Sequence, residues 1–142
     1  RAEIMDSAHA GGLGGTFGGS PTAVAAAVAV MEQFEQGDWL NRAQEIGALI
    51  VKRLTEMMAI YPVIGEVRGV GAMQAFELVM PDTLDPNQPA TEALLKHCHK
   101  NGVVVLNAGT YANVVRLLPP LSISDELLHE ALDVISEGLA SL

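Results

Sequence analysis

The period of the apolar residues changes at Pro62, and this change constrains the fold class. In residues 38–61, just before it, apolar residues recur every three or four positions, which is typical of a helix with one buried face. After it, they form short runs broken by glycine, proline and asparagine, which indicates strands and turns. Beyond residue 64 the predicted order is strand, strand, helix, strand, strand, helix. We therefore expect an α+β fold with a small mixed or antiparallel sheet of about four strands and helices on one side.

Capping residues and helix breakers bound the predicted elements. Ser20 and Pro21 begin a first long helix that ends near Gln36, and Asp38 begins a second that ends near Tyr61. The later elements are strands at 64–68, 72–80, 103–106 and 114–118, a loop at 81–89, and helices at 91–100 and 125–139, the last capped by Ser124. The predicted buried stripes are Leu40, Ala43, Ile46, Ile50, Leu54 and Met57 in the second helix, and Leu127, Leu128, Ala131, Leu132, Ile135 and Leu139 in the last.

A glycine-rich run precedes the first long helix and reads Gly-Gly-Leu-Gly-Gly-Thr-Phe-Gly-Gly-Ser-Pro at 11–21. Glycine lets a ligand approach the backbone closely, and N–H groups ahead of a helix N-terminus can converge on an anion. The run therefore predicts phosphate binding, with the Thr16 hydroxyl as an added donor. A flexible connector is the alternative interpretation. The run matches neither the P-loop nor the dinucleotide fingerprint, because it lacks the lysine of the first and the preceding strand of the second.

Charge and composition exclude several classes of function. The net charge is −9 and the eight basic residues are scattered singly, so we expect no nucleic-acid partner. No apolar run approaches the ~18 residues that span a membrane, and the N-terminal residues do not resemble a signal peptide. Cys98 is the only cysteine, which fits a reducing compartment. We therefore expect a cytoplasmic protein without a membrane partner.

Single polar residues in apolar surroundings are the remaining candidates for a site. Arg116 lies in an apolar strand, where both a structural salt bridge and carboxylate binding are open interpretations. Arg68, beside glycines, is interpreted as a turn-stabilising ion pair. His97 and His99 would point about 200° apart on a helix and cannot share an ion, so we expect no metal site. Cys98, between them, is interpreted as a small core residue.

Three segments resemble, in order and spacing, the C-terminal part of the class III aminotransferases, and most closely the 4-aminobutyrate aminotransferase group. They are the glycine-rich run at 11–21, Ile-Gly-Glu-Val-Arg-Gly-Val-Gly-Ala-Met at 64–73, and Gly-Thr-Tyr-Ala-Asn-Val-Val-Arg-Leu-Leu-Pro-Pro-Leu at 109–121. The resemblance implies a homodimeric pyridoxal 5'-phosphate enzyme of fold type I, whose full length belongs to the α/β class. It also implies that residues 1–37 are the tail of the cofactor-binding large domain and residues 38–142 the C-terminal small domain.

The same resemblance implies roles for individual residues. Gly15 and Thr16 would contact the cofactor phosphate, with the threonine reaching the neighbouring subunit of the dimer. Arg116 would bind the α-carboxylate of glutamate or 2-oxoglutarate. The family's lysine that holds the cofactor covalently lies upstream of the glycine-rich run. The lysines of this chain all follow that run, so we expect no catalytic residue in it and no transamination by the isolated chain; they are Lys52, Lys96 and Lys100.

The implied reaction moves the amino group of 4-aminobutyrate, or of a related ω-amino compound, to 2-oxoglutarate in the full-length enzyme. An ornithine, acetylornithine or other ω-aminotransferase is an alternative, because most of the donor pocket would come from sequence upstream of this chain. A non-catalytic binding or dimerisation module is a second alternative.

Overall fold

The chain folds into two units that are each contiguous in sequence. A computed structural model describes residues 1–142, of which Arg1–Asp38 form the first unit and Trp39–Leu142 the second. The first unit contains helices α1 (Ala2–Met5) and α2 (Pro21–Gln36) with the glycine-rich run between them. The second contains α3 (Trp39–Ile60), β1 (Ile64–Val70), β2 (Met73–Leu78), α4 (Gln88–Lys100), β3 (Leu106–Ala108), β4 (Val114–Leu117) and α5 (Asp125–Ala140).

Helix α2 has the predicted bounds. Ser20 occupies the N-cap position but its side chain makes no capping hydrogen bond, so the fixed φ of Pro21 is the stronger local start signal. The helix ends at Gln36, before the extended Gly37. No residue of α2 is buried, although its sequence is rich in alanine and valine.

The sheet of the second unit confirms the predicted fold class. Its four strands are antiparallel in the order β1-β2-β4-β3, so β2 and β4 are central. Alternate residues of β2 are buried, which leaves one face of the strand toward the core. The helices cover this face, because buried residues of α3, α4 and α5 form one core with Phe76 and Val115.

The predicted strand at 103–106 is wrong, since β3 begins only at Leu106. Backbone groups just before β3 instead form hydrogen bonds with the C-terminal end of α4. The Val103 N–H donates to the Cys98 carbonyl at 2.9 Å, and Gly102 takes a φ of +81°, as expected of a residue that ends a helix. The Val105 carbonyl lies 2.9 Å from Nε2 of His99. These valines therefore join the core without joining the ladder.

Helix α4 starts three residues earlier than predicted, inside the segment interpreted as a loop. The Asn87 carboxamide oxygen accepts the Ala90 N–H at 3.1 Å and caps the helix. Pro89 is tolerated because the first turn of a helix needs no N–H at that position. The Ser124 cap of α5 is confirmed, since its hydroxyl accepts the Leu127 N–H at 3.3 Å.

The predicted buried stripes are confirmed at eight of their twelve positions, whereas Ala43 and Ala131 are only partly buried and two leucines are exposed. Leu40 is 73% exposed and Leu127 is 57% exposed. Leu40 lies in the first turn of α3, ahead of the buried run that starts at Ile46. In α5 the stripe passes through Leu128 and Leu132, so Leu127 is rotated about 100° away from it. None of the five helices has the length and apolar character needed to cross a bilayer.

A close backbone-to-backbone contact fixes α3 against the sheet. A Cβ placed on Gly47 of α3 would lie 2.1 Å from the carbonyl oxygen of Gly71, in the turn between β1 and β2. Only a glycine at position 47 allows this approach, because no L side chain tolerates that distance. The contact keeps the start of β2 under the helix.

Candidate functional site

Strand β4 directs Arg116 away from the helices. Its neighbours Val115 and Leu117 are buried, whereas Arg116 is exposed. This alternation follows from the two-residue period of a strand and was expected from the sequence. The register places Arg116 beside Ala75 of β2, and Ala75 in turn beside Arg68 of β1. The two arginines therefore share one face of the sheet, with a small residue between them.

The guanidinium of Arg116 has no hydrogen-bond or ion-pair partner in the chain. Among the arginines of Trp39–Leu142, Arg116 is the only one without a partner. The other three are paired with carboxylates: Arg42 with Asp125 and Glu45, Arg53 with Asp133 and Glu56, and Arg68 with Glu66 and Glu77. The structural salt bridge that the sequence left open for Arg116 is therefore absent within this chain.

Arg68 forms the ion pair that the sequence predicts, and the register explains its geometry. Glu66 and Glu77 face each other directly across β1 and β2, an arrangement that repels like charges. One guanidinium nitrogen of Arg68 donates to Glu66 and another to Glu77. Hydrogen bonding to Glu77 raises the pKa of Arg68 above its ordinary value, so it remains a cation. Glu77 is a partner that sequence reasoning missed, because only the register brings it near Arg68.

A shallow depression lies over Ala75. It has a volume of about 300 Å³ and is lined by Arg68, Met73, Ala75 and Arg116. The free guanidinium of Arg116 and the small side chain of Ala75 give a carboxylate access from the exposed side of the sheet. This arrangement can bind a planar anion through two parallel N–H groups.

The glycine-rich run forms an exposed turn in the other unit. The Gly15 carbonyl accepts the Gly18 N–H at 3.0 Å, which places Thr16 and Phe17 at the two corners. The Thr16 hydroxyl and the backbone N–H groups of Gly15, Thr16 and Phe17 donate to no group of the chain. A Cβ on Gly15 would meet nothing within 4 Å, so the space beside this backbone is open. These free donors fit an anionic group such as a phosphate.

The side chains of the His97–His99 segment of α4 contact other parts of the fold. His99 lies within hydrogen-bond distance of the Val105 carbonyl, and the His97 ring lies beside Gly138 of α5. Cys98 is fully buried in the core, as expected, and burial raises the pKa of its thiol to about 11. The thiol is therefore neutral near pH 7 and packs as a small apolar group. Each of the three side chains has different surroundings.

The predicted site residues fall into two groups. Gly15 and Thr16 belong to Arg1–Asp38, and Arg116 belongs to Trp39–Leu142, where Arg68 accompanies it. The lysines are all exposed on helices: Lys52 on α3, and Lys96 and Lys100 on α4.

Comparison with known proteins gives concordant results. The family model for class III aminotransferases matches residues 1–139. A 4-aminobutyrate aminotransferase of Mycobacterium tuberculosis H37Rv is 49% identical over 142 residues, which are 100% of this chain and 32% of that protein. A 5-aminovalerate aminotransferase of Pseudomonas putida KT2440 is 42% identical over 142 residues, again the whole chain and 33% of that protein.

Solved structures share the fold as well. An acetylornithine aminotransferase from Elizabethkingia anophelis superposes with a TM-score of 0.80 and is 29% identical. That superposition covers 100% of this chain and 36% of the other. The chain thus spans about a third of the length of the relatives it matches.

Proposed function

The chain belongs to the class III aminotransferases, and on this premise we propose that it forms the C-terminal part of an ω-aminotransferase. The full-length enzyme would move the amino group of 4-aminobutyrate, or of a related ω-amino acid, to 2-oxoglutarate. Relatives named for 4-aminobutyrate and for 5-aminovalerate support an ω-amino donor. Both compounds carry a carboxylate at one end and an amine at the other.

The observation that carries the proposal is the unpartnered guanidinium of Arg116. An arginine whose charge is already balanced by an internal partner is not available to bind a substrate. Arg116 has no such partner and presents its charge on the exposed side of β4. Two parallel N–H groups suit the α-carboxylate of 2-oxoglutarate or glutamate and also orient it. Arg116 would thus bind and orient the acceptor, while the missing two thirds of the enzyme would contribute most of the donor pocket.

The donors around Thr16 support a role in holding pyridoxal 5'-phosphate. When bound, this cofactor supplies the carbonyl carbon and electron-withdrawing ring through which an amino group passes between two substrates. The Thr16 hydroxyl and the free N–H groups of the loop would donate to its phosphate, near the positive end of α2. We infer that Thr16 serves the neighbouring subunit of a homodimer, as the family resemblance implies.

The variant Arg116→Lys tests this assignment in the full-length enzyme. Lysine keeps the charge but loses the two-pronged geometry, so the fold should survive while the acceptor is bound poorly. We expect kcat/KM for 2-oxoglutarate to fall at least ~10-fold, equivalent to ~1.4 kcal/mol of transition-state binding. Steady-state kinetics with 4-aminobutyrate as donor would measure it.

The matched control for that experiment is Arg53→Lys. Arg53 is paired with Asp133 between α3 and α5, so its replacement should leave acceptor kinetics near those of the wild type. Unchanged kcat/KM in Arg116→Lys, or loss of the fold, would make Arg116 a structural residue.

The acetylornithine aminotransferase among the structural relatives favours one alternative donor class. Parallel assays with 4-aminobutyrate, 5-aminovalerate, ornithine and acetylornithine would separate the two classes. The highest kcat/KM with an ornithine derivative would replace the ω-amino acid assignment. Absence of turnover with every donor would favour a non-catalytic module.

A further inference from the structure

Arg116 is unpaired although a glutamate stands diagonally opposite it on β2. Glu77 is the only acidic residue on the two strands that flank β4. It pairs in register with Val114, which makes it the diagonal neighbour of Arg116 on the same face. Such diagonal neighbours have Cα atoms about 7–8 Å apart, a distance that two long side chains can bridge. An ion pair between Glu77 and Arg116 is therefore sterically available.

The structure shows that Glu77 is bound elsewhere. Its carboxylate accepts from Arg68, on the opposite side of β2 from Arg116. Arg68 also binds Glu66, so one guanidinium holds both acidic residues of this face of the β1–β2 hairpin. Glu77 is partly buried, which restricts the positions its carboxylate can take once Arg68 has bound it.

We propose that Arg68 is a positioning residue that keeps Glu77 from pairing with Arg116 and so leaves Arg116 free for the acceptor carboxylate. The inference rests on the proposed function. Without Arg68, the Glu77 carboxylate competes with 2-oxoglutarate for the same guanidinium. Because Glu77 belongs to the same chain, its effective concentration near Arg116 is fixed. Its competition with the dicarboxylate therefore raises KM.

A purely structural role for Arg68 makes a different prediction. Arg68 relieves the repulsion between Glu66 and Glu77, which face each other across the ladder. Neutralising either glutamate would relieve that repulsion equally. Only Glu77 lies beside Arg116, however, because Glu66 is one strand farther away, on β1. Stability should therefore respond to both glutamates, and acceptor affinity only to Glu77.

The experiment compares three variants of the full-length enzyme with the wild type. Arg68→Met should raise KM for 2-oxoglutarate about 3- to 5-fold, as expected for an exposed competing ion pair. Adding Glu77→Gln to Arg68→Met should restore KM. Adding Glu66→Gln instead should leave KM raised. Thermal midpoints measured on the same samples should recover in both double variants.

A fourth variant keeps the test independent of Arg68→Met folding. Glu77→Gln alone removes the competing charge and should leave KM for 2-oxoglutarate at or below the wild-type value. A raised KM in that variant would overturn the inference, as would equal recovery of KM in the two double variants.

The same series separates this inference from the proposed function. Normal KM in Arg68→Met, combined with impaired Arg116→Lys, overturns the role of Arg68 alone. Normal acceptor kinetics in Arg116→Lys overturn the carboxylate site, and the role of Arg68 with it.

Discussion

Thr16 and Arg116 are polar residues whose side chains have no partner in the chain. Thr16 stands at the corner of an exposed turn, and Arg116 projects from a strand whose neighbouring residues are buried. Each residue therefore offers hydrogen-bond donors at no cost in broken internal bonds. This arrangement favours the binding of an anionic ligand, because no internal partner must be displaced first.

The role of Thr16 can be tested with Thr16→Val in the full-length enzyme. Valine has a similar shape but no hydroxyl, so the charge-assisted bond that we propose between Thr16 and the cofactor phosphate would be lost. We expect cofactor affinity to fall by ~1.5–3 kcal/mol. Titration of the apoenzyme with pyridoxal 5'-phosphate, followed by absorbance, would measure it. Thr22→Val, in the exposed first turn of α2, is the matched control. Equal affinity in Thr16→Val and wild type would contradict the phosphate assignment.

At this scale the sequence predicts side-chain direction better than side-chain partners. The alternation of β4 was sufficient to place Arg116 opposite Val115 and Leu117. The ion pair of Arg68 was also predictable, since an arginine among glycines and apolar residues needs an anion. Its second partner was not, because Glu77 meets Arg68 only through the register of two strands.

Elements of the second unit meet through close backbone contacts as well as through side chains. Gly47 and Gly138 both lie in helices at positions where an added Cβ would be too close to a neighbour. At Gly47 that neighbour is the carbonyl of Gly71, whereas at Gly138 the nearest atom is the end of the Leu94 side chain, with the His97 ring 3.0 Å away. A backbone carbonyl cannot rotate away, but a leucine can change its rotamer.

Gly47→Ala and Gly138→Ala should therefore differ in stability. Alanine favours a helix over glycine by ~1 kcal/mol, and overpacking opposes this gain by ~1–3 kcal/mol. We expect Gly47→Ala to lower the free energy of unfolding clearly, and Gly138→Ala to change it little. Urea denaturation of the chain, followed by circular dichroism, would give both values. Equal stability of Gly47→Ala and wild type would show that α3 is free to shift from the turn.

Element boundaries were predicted well where a local signal exists and poorly where tertiary contacts decide. Pro21 and Ser124 mark the starts of α2 and α5 correctly. The prolines of 81–89 predict a loop, but Pro89 lies in the first turn of α4, where a proline fits as well as it does in a loop. Val103 to Val105 have strand propensity, but a backbone group of Val103 and one of Val105 bond to the end of α4.

For the whole molecule, the positions of the lysines bear on what the isolated chain can do. All three are exposed on helices of the second unit, and none has the buried surroundings that activate an amine. The 142 residues also span only about a third of their relatives. We propose that the isolated chain does not catalyse transamination.

Borohydride reduction of the isolated chain with pyridoxal 5'-phosphate tests this proposal. Exposed lysines react weakly and without selection, so peptide mapping should find low, scattered labelling at Lys52, Lys96 and Lys100. The full-length enzyme, as a positive control, should give one stoichiometric adduct outside this chain. A single dominant adduct within the chain would show that it carries its own cofactor-binding lysine.

The order of the strands in the sheet has a consequence for biosynthesis. β2 pairs with β4, yet α4 and β3 are translated between them. After the β1–β2 hairpin has been made, one edge of β2 stays open until residues 114–117 leave the ribosome. Contacts so distant in sequence close slowly, and an open edge invites pairing with other chains. The nascent chain is therefore most exposed to misassembly while the segment from residue 79 to residue 113 is being translated.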